Sequence, residues 1–510
     1  LLAGYAGTRN TGADARVEEM IRQFRHLFGD DHLELAITTF DPDRTAGYFP
    51  TVRQIFIPKV FPKFLYDTVH RYHGVVSVEG SMFKSKFANA LSTMMAGALG
   101  LAVAEDKLAI GYGGEAGKMD PALEGLIRRT CGGSYVIARN DASMAIMSRL
   151  GMRVDSGSDT AWTFQPSPPE VGEAILREHG WDGVTPVLTL CPINPFWWPV
   201  KPDLMRGVSH AITGSHARDH NTSIYFHKAG DEVDAAQERY LDHIARAVRR
   251  VMGSRQVFPI CYGSEMLDRY ACEALSEKLG GVPVIVSDDH DMFEMVSVLR
   301  SASAVVSSRY HAIVCGMPAL VPSAGITMDE RIRNLMADRG TPSLALEVDD
   351  EALGTNLLHV LRTLRDDEAA VVAEPFRQWV IEDNFASRRP RWEDAGALFS
   401  SDVAAWEAAK LRLLNASHSM LAYLGLATGK TTISDAVGER AFRTACSRMM
   451  AEDALPTITL PAGLDGAAYC AQVLTRFANP ALGHTTAKVG SDGSQKIGLR
   501  LLTTVRGSLN

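Results

Sequence analysis

Two stretches of the chain put reactive side chains where a backbone turn would expose them. In SAVVSSRYHAIVCGMPALVPSAG (303–325), strand-like residues Ala304 to Val306 lead into Ser307 and Ser308, which can cap a helix starting near Tyr310. Arg309 and His311 then fall in the first helical turn, beside the positive end of the dipole. Two cations there call for a bound anion or for water. An Arg fork matches carboxylate and phosphate, and a His near neutral pKa suits proton transfer. In GYAGTRNTGAD (4–14), Gly4, Gly7 and Gly12 lie in a turn ahead of an amphipathic helix. Glycines there let a backbone approach a ligand at a helix N-terminus. The spacing is not G-x-G-x-x-G, and a tight strand-to-helix turn explains it equally well.

The elements that must carry these residues follow from periodicity. Up to about residue 345, short β-branched runs such as LELAIT (33–38), GVVSV (74–78), VLTLCPI (187–193) and VPVIVS (282–287) alternate with amphipathic stretches such as ARVEEMIRQFRHLF (15–28) and AQERYLDHIARAVRRVM (236–252). Strand–helix alternation implies parallel sheets covered on both faces. A Ser/Gly/Pro-rich break at 155–170 divides the run into two doubly wound lobes, 1–160 and 161–345. Ligands in such folds bind at the carboxyl ends of the strands. A linker is expected over 346–372. From 373 to 510 the text is mostly helical, with almost no strand signal. The expected fold class is thus α/β, two Rossmann-like lobes followed by a mostly α-helical region.

Composition narrows the function classes. The 510 residues carry a net charge of −8, which speaks against a general nucleic-acid binder. Seven cysteines with no CxxC pair read as free thiols, with no zinc site and a cytoplasmic setting expected. The opening LLAGYAGTRN has no basic region ahead of an apolar stretch, so no signal peptide is expected. The longest uncharged run, FANALSTMMAGALGLAVA (87–104), reads as a buried helix leading into a strand rather than an integral membrane segment.

Gly4, Tyr5, Gly7, Asn10 and Gly12, then Arg139, Asn140 and Ser143, Asp159 and Ala161, and finally Ser307, Arg309, His311 and Ala312 together resemble the polysaccharide pyruvyl transferase family over roughly residues 1–345. The resemblance implies a GT-B-like transferase, with phosphoenolpyruvate as donor, a sugar or glycan hydroxyl as acceptor and no organic cofactor. It implies catalytic roles for Arg309, His311 and Arg139, and substrate contacts from Gly4, Gly7, Asn10, Gly12 and Ser308. The chain departs from the family at Ala13, at Asn140 and at Glu79-Gly80-Ser81, where many members carry a glycine run.

A second resemblance covers the carboxy-terminal part. AEPFRQWVIEDNF (373–385), RPRWEDAGALFSSDV (389–403), KLRLLNASHSMLAYLG (410–425), RFANPALGH (476–484) and DGSQK (492–496) closely resemble the second domain of long-chain mannitol dehydrogenases and fructuronate reductases. Lys410, Asn415 and His418 reproduce that family's K-x4-N-x2-H pattern. The resemblance implies Lys410 as the base for a polyol hydroxyl, with Asn415 and His418 polarising its oxygen. On an α-helix Asn415 lies about 140° and His418 about 80° from Lys410, so the three share one broad face. A buried Lys is the expected way to make such a base. The family also uses an amino-terminal Rossmann domain for NAD(P), which the preceding text does not match. The leading expectation is therefore a pyruvyltransferase-like enzyme fused to this domain. The alternative is an NAD-dependent polyol or hexuronate oxidoreductase.

Overall fold

In a computed structural model, residues 1–30, 33–58, 60–87, 89–222, 224–363, 379–384, 393, 397–480, 483–491 and 496–508 are described. The chain forms two compact units, Leu1–Val371 and Val372–Asn510.

The first unit holds two parallel sheets of the same winding. Strands β1 (Leu2–Ala6), β2 (Ala36–Thr39), β3 (Arg53–Phe56), β4 (Gly74–Ser77), β5 (Leu108–Gly114), β6 (Tyr135–Ala138) and β7 (Arg153–Ser156) lie in the order 3-2-1-4-5-6-7. Strands β8 (Val187–Cys191), β12 (Phe258–Gly263), β13 (Val284–Val286), β14 (Ala304–Ser307), β15 (Ser323–Thr327) and β16 (Ala345–Glu347) lie in the order 13-12-8-14-15-16. Between them in sequence, β9 (Lys201–Pro202), β10 (His220–Thr222) and β11 (Tyr225–Phe226) form a small antiparallel sheet. Renumbered from β8, the second sheet repeats the 3-2-1-4-5-6 order of the first. Each therefore has a switch point, β1/β4 in one and β8/β14 in the other, where a crevice opens at the strand ends. The expected α/β class with two Rossmann-like, GT-B-like lobes is what the fold is.

Burial explains why these runs are strands. Every residue of β2, β8 and β15 is buried, as strands covered by helices on both faces must be. The apolar run at 87–104 becomes the helix Asn89–Ala104, which buries Met94, Met95, Ala96, Ala98 and Leu99. Among the described residues no helix is long and apolar enough to cross a membrane. All seven cysteines are buried and free.

Two expectations need correction. The stretch expected to link the parts begins with packed structure: β16 completes the second sheet, and the helix Leu353–Thr363 buries Leu353, Leu357 and Leu361 in the core. Its apolar positions recur at helical spacing, so they belong to the first unit. The rest of that stretch, 364–372, lies outside the described residues, as do 373–378 and 385–392 of the carboxy-terminal motifs. In the second unit, where almost no strand was expected, β17 (Trp379–Glu382) and β18 (Ala397–Ser400) pair in parallel. The remainder is helical, with a core of residues such as Leu413, Leu421, Val437 and Val473.

Candidate functional site

Beyond the carboxyl ends of β5, β6 and β7 in the first lobe, a chain of buried charges reaches the helix that follows β14 in the second. Asp159 follows β7 and accepts from Arg139 Nη1 at 2.7 Å and from the Ala161 amide at 3.0 Å. Arg139 meets Oδ2, while Oδ1, which takes the Ala161 amide, also pairs with Arg16 Nε at 3.2 Å. His311 reaches it from the second lobe, Nε2 to Oδ2 3.2 Å. Arg139 also donates through Nε to Glu115 Oε2 at 2.8 Å, and its guanidinium lies 4.1 Å from the ring centre of Tyr310. Lys84 closes the chain onto Glu115 (3.2 Å) and Glu330 (3.0 Å). Burial alone would raise the Asp159 carboxyl; Arg16, His311 and Arg139 overcome it and hold the group well below the usual range. Burial also lowers His311, against the pull of Asp159.

Arg309 is the N-cap of the short helix Tyr310–Gly316 and carries no free charge into the cleft. It donates to Asp268 through Nε (3.0 Å) and Nη2 (2.5 Å), and pairs with Glu265 at 2.8 Å. Those carboxylates do what an anionic ligand was expected to do at the positive helix end. Burial pushes the Asp268 carboxyl up to about 6, with Arg309 opposing it. Ser308, expected to contact substrate or cap the helix, is buried and shares a hydrogen bond with Tyr240 Oη at 2.7 Å. Ser307 Oγ accepts from the Arg309 amide instead. Thus Arg309, His311 and Arg139 do converge at the lobe junction, but each is engaged by protein carboxylates.

The glycine turn is built for close packing. A Cβ on Gly12 would sit 2.2 Å from His311 Cβ, and one on Gly4 would sit 2.4 Å from Val78 Cγ2. Gly7 has φ +101°, a conformation other residues rarely adopt. Asn10 caps the helix Thr11–Phe28 by accepting from the Ala13 amide (3.1 Å), and its Nδ2 donates to Glu265 Oε2 (3.1 Å). The Thr11 amide donates to Ser264 O at 2.8 Å. Asp14, buried in the first turn, has its carboxyl raised well above the usual value by desolvation. A dinucleotide pyrophosphate would need those amides free and that carboxyl absent, so the residues at this turn do not fit one. Gly12 and Asn10 meet the second lobe here, at His311 and Glu265, while Gly4 and Gly7 pack within the first. Asn140 is likewise an N-cap, accepting from the Ser143 amide at 2.8 Å.

Beside this junction lies a cavity of about 290 Å³, and a smaller one of about 50 Å³ adjoins it; Asn10, Glu79, Arg309 and Arg331 border both. The larger is walled mainly by apolar side chains, among them Phe61, Phe87, Leu91, Met94 and Trp198. Its aromatic walls come from several separate chain segments, which no local pattern announces.

In the second unit, Lys410, Asn415 and His418 lie on consecutive helical segments. Lys410–Asn415 is a π-helical turn, followed directly by the α-helix Ala416–Ala427. In a π turn the backbone bond spans i to i+5, so Asn415 stands about one turn above Lys410 rather than 140° around. His418 follows three residues on, and the three share a narrower face than an α-helix would give. Single π turns recur at functional sites. Lys410 is exposed, where a buried lysine was expected. The His418 ring stacks on Phe477 at 4.9 Å and lies 5.4 Å from the His484 ring. Its Nε2 is buried with no hydrogen-bond partner among the described residues. Burial lowers its pKa to about 4, with His484 and Arg500 adding to the effect. A neutral imidazole with an unused nitrogen is suited to a substrate oxygen.

With this geometry in hand, the comparisons bear on the second unit. The chain is similar to the D-mannonate oxidoreductase of Escherichia coli (strain K12), 49% identical over 140 residues, 28% of this chain and 29% of that protein. It is similar to the polyol:NADP oxidoreductase of Gluconobacter oxydans (strain 621H), 36% identical over 173 residues, 34% of each chain. Among solved structures, the UDP-GlcNAc 2-epimerase of Methanocaldococcus jannaschii covers 71% of this chain and 92% of its own, at 10% identity and a TM-score of 0.43. The chain thus spans about a third or less of the length of these two curated relatives. Residues 402–510 match the model of the mannitol dehydrogenase C-terminal domain.

Proposed function

We propose that the second unit binds a polyol or hexuronate hydroxyl through Lys410, Asn415 and His418, as the substrate-facing part of an oxidoreductase of the mannitol dehydrogenase type. The observation that carries this reading is the run of the three residues along a π turn and its following helix, within the segment that matches the family model. Lys410 takes the hydroxyl proton, while the Asn415 amide and the unused His418 Nε2 donate to or accept from the same oxygen. A nicotinamide cofactor, when bound, supplies the hydride acceptor for such chemistry. The first βα turn of the first unit does not fit a dinucleotide, so the residues present account for substrate binding and proton transfer only. Calorimetric titration with D-mannonate and D-mannitol tests the reading. Saturable binding that disappears in Lys410→Ala supports it, and binding that survives Lys410→Ala and His418→Phe together refutes it.

A second reading rests on the first unit, where a cavity opens beside the convergence of Arg139, Arg309 and His311. It makes this unit a pyruvyltransferase-like enzyme, using phosphoenolpyruvate and a sugar hydroxyl. An anionic donor must then displace Asp268 or Glu265 from Arg309, so Arg309→Ala abolishes pyruvyl transfer. Incubation with phosphoenolpyruvate and a sugar panel decides it: absence of any pyruvylated product removes this reading.

A further inference from the structure

The 290 Å³ cavity beside the lobe junction combines an apolar body with one carboxylate that forms no ion pair among the described residues. Glu79, at the end of β4, borders both the 290 Å³ and the 50 Å³ cavity and is only half buried. Its carboxylate accepts from the Ser81 amide at 3.4 Å and forms no ion pair among the described residues. The cations of the same wall are already spoken for. Arg309 is held by Asp268 and Glu265, Arg331 by Asp329 at 2.8 Å, and Lys84 by Glu115 and Glu330. The polar end of the cavity therefore offers a hydrogen-bond acceptor with guanidinium donors close by, not an open cation. Hydroxyl groups, which both donate and accept, match that mixture. An anion would meet Glu79, and an ammonium would meet Arg309 and Arg331. The remaining wall is apolar: Phe87 and Trp198 meet edge to face at 5.2 Å, and Phe61, Leu91 and Met94 continue it. A sugar face alone leaves most of this wall uncovered, and the volume falls at the small end of ligand pockets.

We propose that this cavity is a binding site for a hydroxylated amphiphile, a sugar-like head against Glu79 joined to an alkyl or aromatic body against Phe87, Leu91 and Trp198. The site occupies the cavity on which the second reading above draws, but it is a statement about binding alone, so the titrations below stand whether or not pyruvyl transfer is found. Glu79 is the head-group acceptor, which gives a role to the Glu79-Gly80-Ser81 departure noted in the sequence. The neighbouring Gly80 lies close to the buried network, where a Cβ would stand 2.7 Å from Arg139 Nη1.

The test uses the full chain and calorimetric titration with four probes below their micelle concentrations: octyl β-D-glucoside, methyl β-D-glucoside, octanoate and octylamine. The expected result is saturable binding of the alkyl glucoside at least about tenfold tighter than octanoate or octylamine, with no detectable methyl glucoside binding. Glu79→Ala weakens the alkyl glucoside at least about fivefold, and Leu91→Trp, which fills the apolar body, abolishes it. Equal or tighter binding of octanoate or octylamine overturns the proposal, as does absence of alkyl glucoside binding to the unaltered chain. Binding unchanged in a folded Leu91→Trp variant overturns it too. The comparison of probes on the unaltered chain decides the matter even if a variant fails to fold.

Discussion

His311 Nε2 lies 3.2 Å from Asp159 Oδ2, and this contact carries a second-lobe side chain into the charge network of the first. Asp159 also meets Arg139 and Arg16, so one buried carboxylate offsets two guanidiniums.

Removing that carboxylate leaves both guanidiniums buried with less compensation. Asp159→Asn should destabilise the first unit by about 3–5 kcal/mol, the cost of breaking a buried pair from one side. Urea unfolding, followed by hydrogen exchange in peptides of the first unit, checks it. A loss under about 1 kcal/mol would mean the network contributes little.

The packing of Gly12 on His311 predicts a coupled pair. Gly12→Ala puts a methyl carbon 2.2 Å from His311 Cβ and should cost about 1–3 kcal/mol by overpacking. In Gly12→Ala/His311→Gly the two losses should not add, since glycine removes the His311 Cβ that the new methyl would strike. A double-mutant cycle measures this, and additive costs would show that the lobes adjust without strain.

The second unit should weaken in mild acid. His418 has its folded pKa lowered from 6.5 to about 4, so above pH 6.5 both folded and unfolded states are neutral and the full stability is present. As pH falls below 6.5 the unfolded chain takes up a proton that the folded unit refuses until about pH 4. Stability is lost across that window. Exchange rates of amides in 413–420 should rise between pH 6.5 and 4, after correction for intrinsic rates, and His418→Phe should flatten the rise. Since Phe keeps the stack on Phe477, an unflattened profile would assign the effect elsewhere. His227, lowered to about 4 by burial, moves the first unit in the same direction.

What could be read from the residues alone depended on how locally the cause was written. Continuous apolar runs such as VLTLC (187–191) announced central strands, because both faces are covered. Edge strands β3 (RQIF) and β7 (RVDS) escaped notice, because their half-exposed faces admit charge and break the pattern. Arg309 and His311 were legible as a pair at a strand-to-helix turn. Their partners were not, since Asp268 lies 41 positions from Arg309 and Asp159 lies 152 from His311. That is why an anion site was expected where protein carboxylates sit. The π turn at Lys410–Asn415 has no side-chain signature in KLRLLN, so the α-helical angle misplaced Asn415.

The most direct test of the central claim is titration of the full chain with D-mannonate, on the unaltered protein and on His418→Phe. The account predicts saturable binding that falls at least about tenfold in His418→Phe, because the variant keeps the ring stack on Phe477 but loses the unused nitrogen. Binding equal in the two proteins, or no binding to the unaltered chain, would contradict the assignment of Lys410, Asn415 and His418 to a polyol or hexuronate hydroxyl.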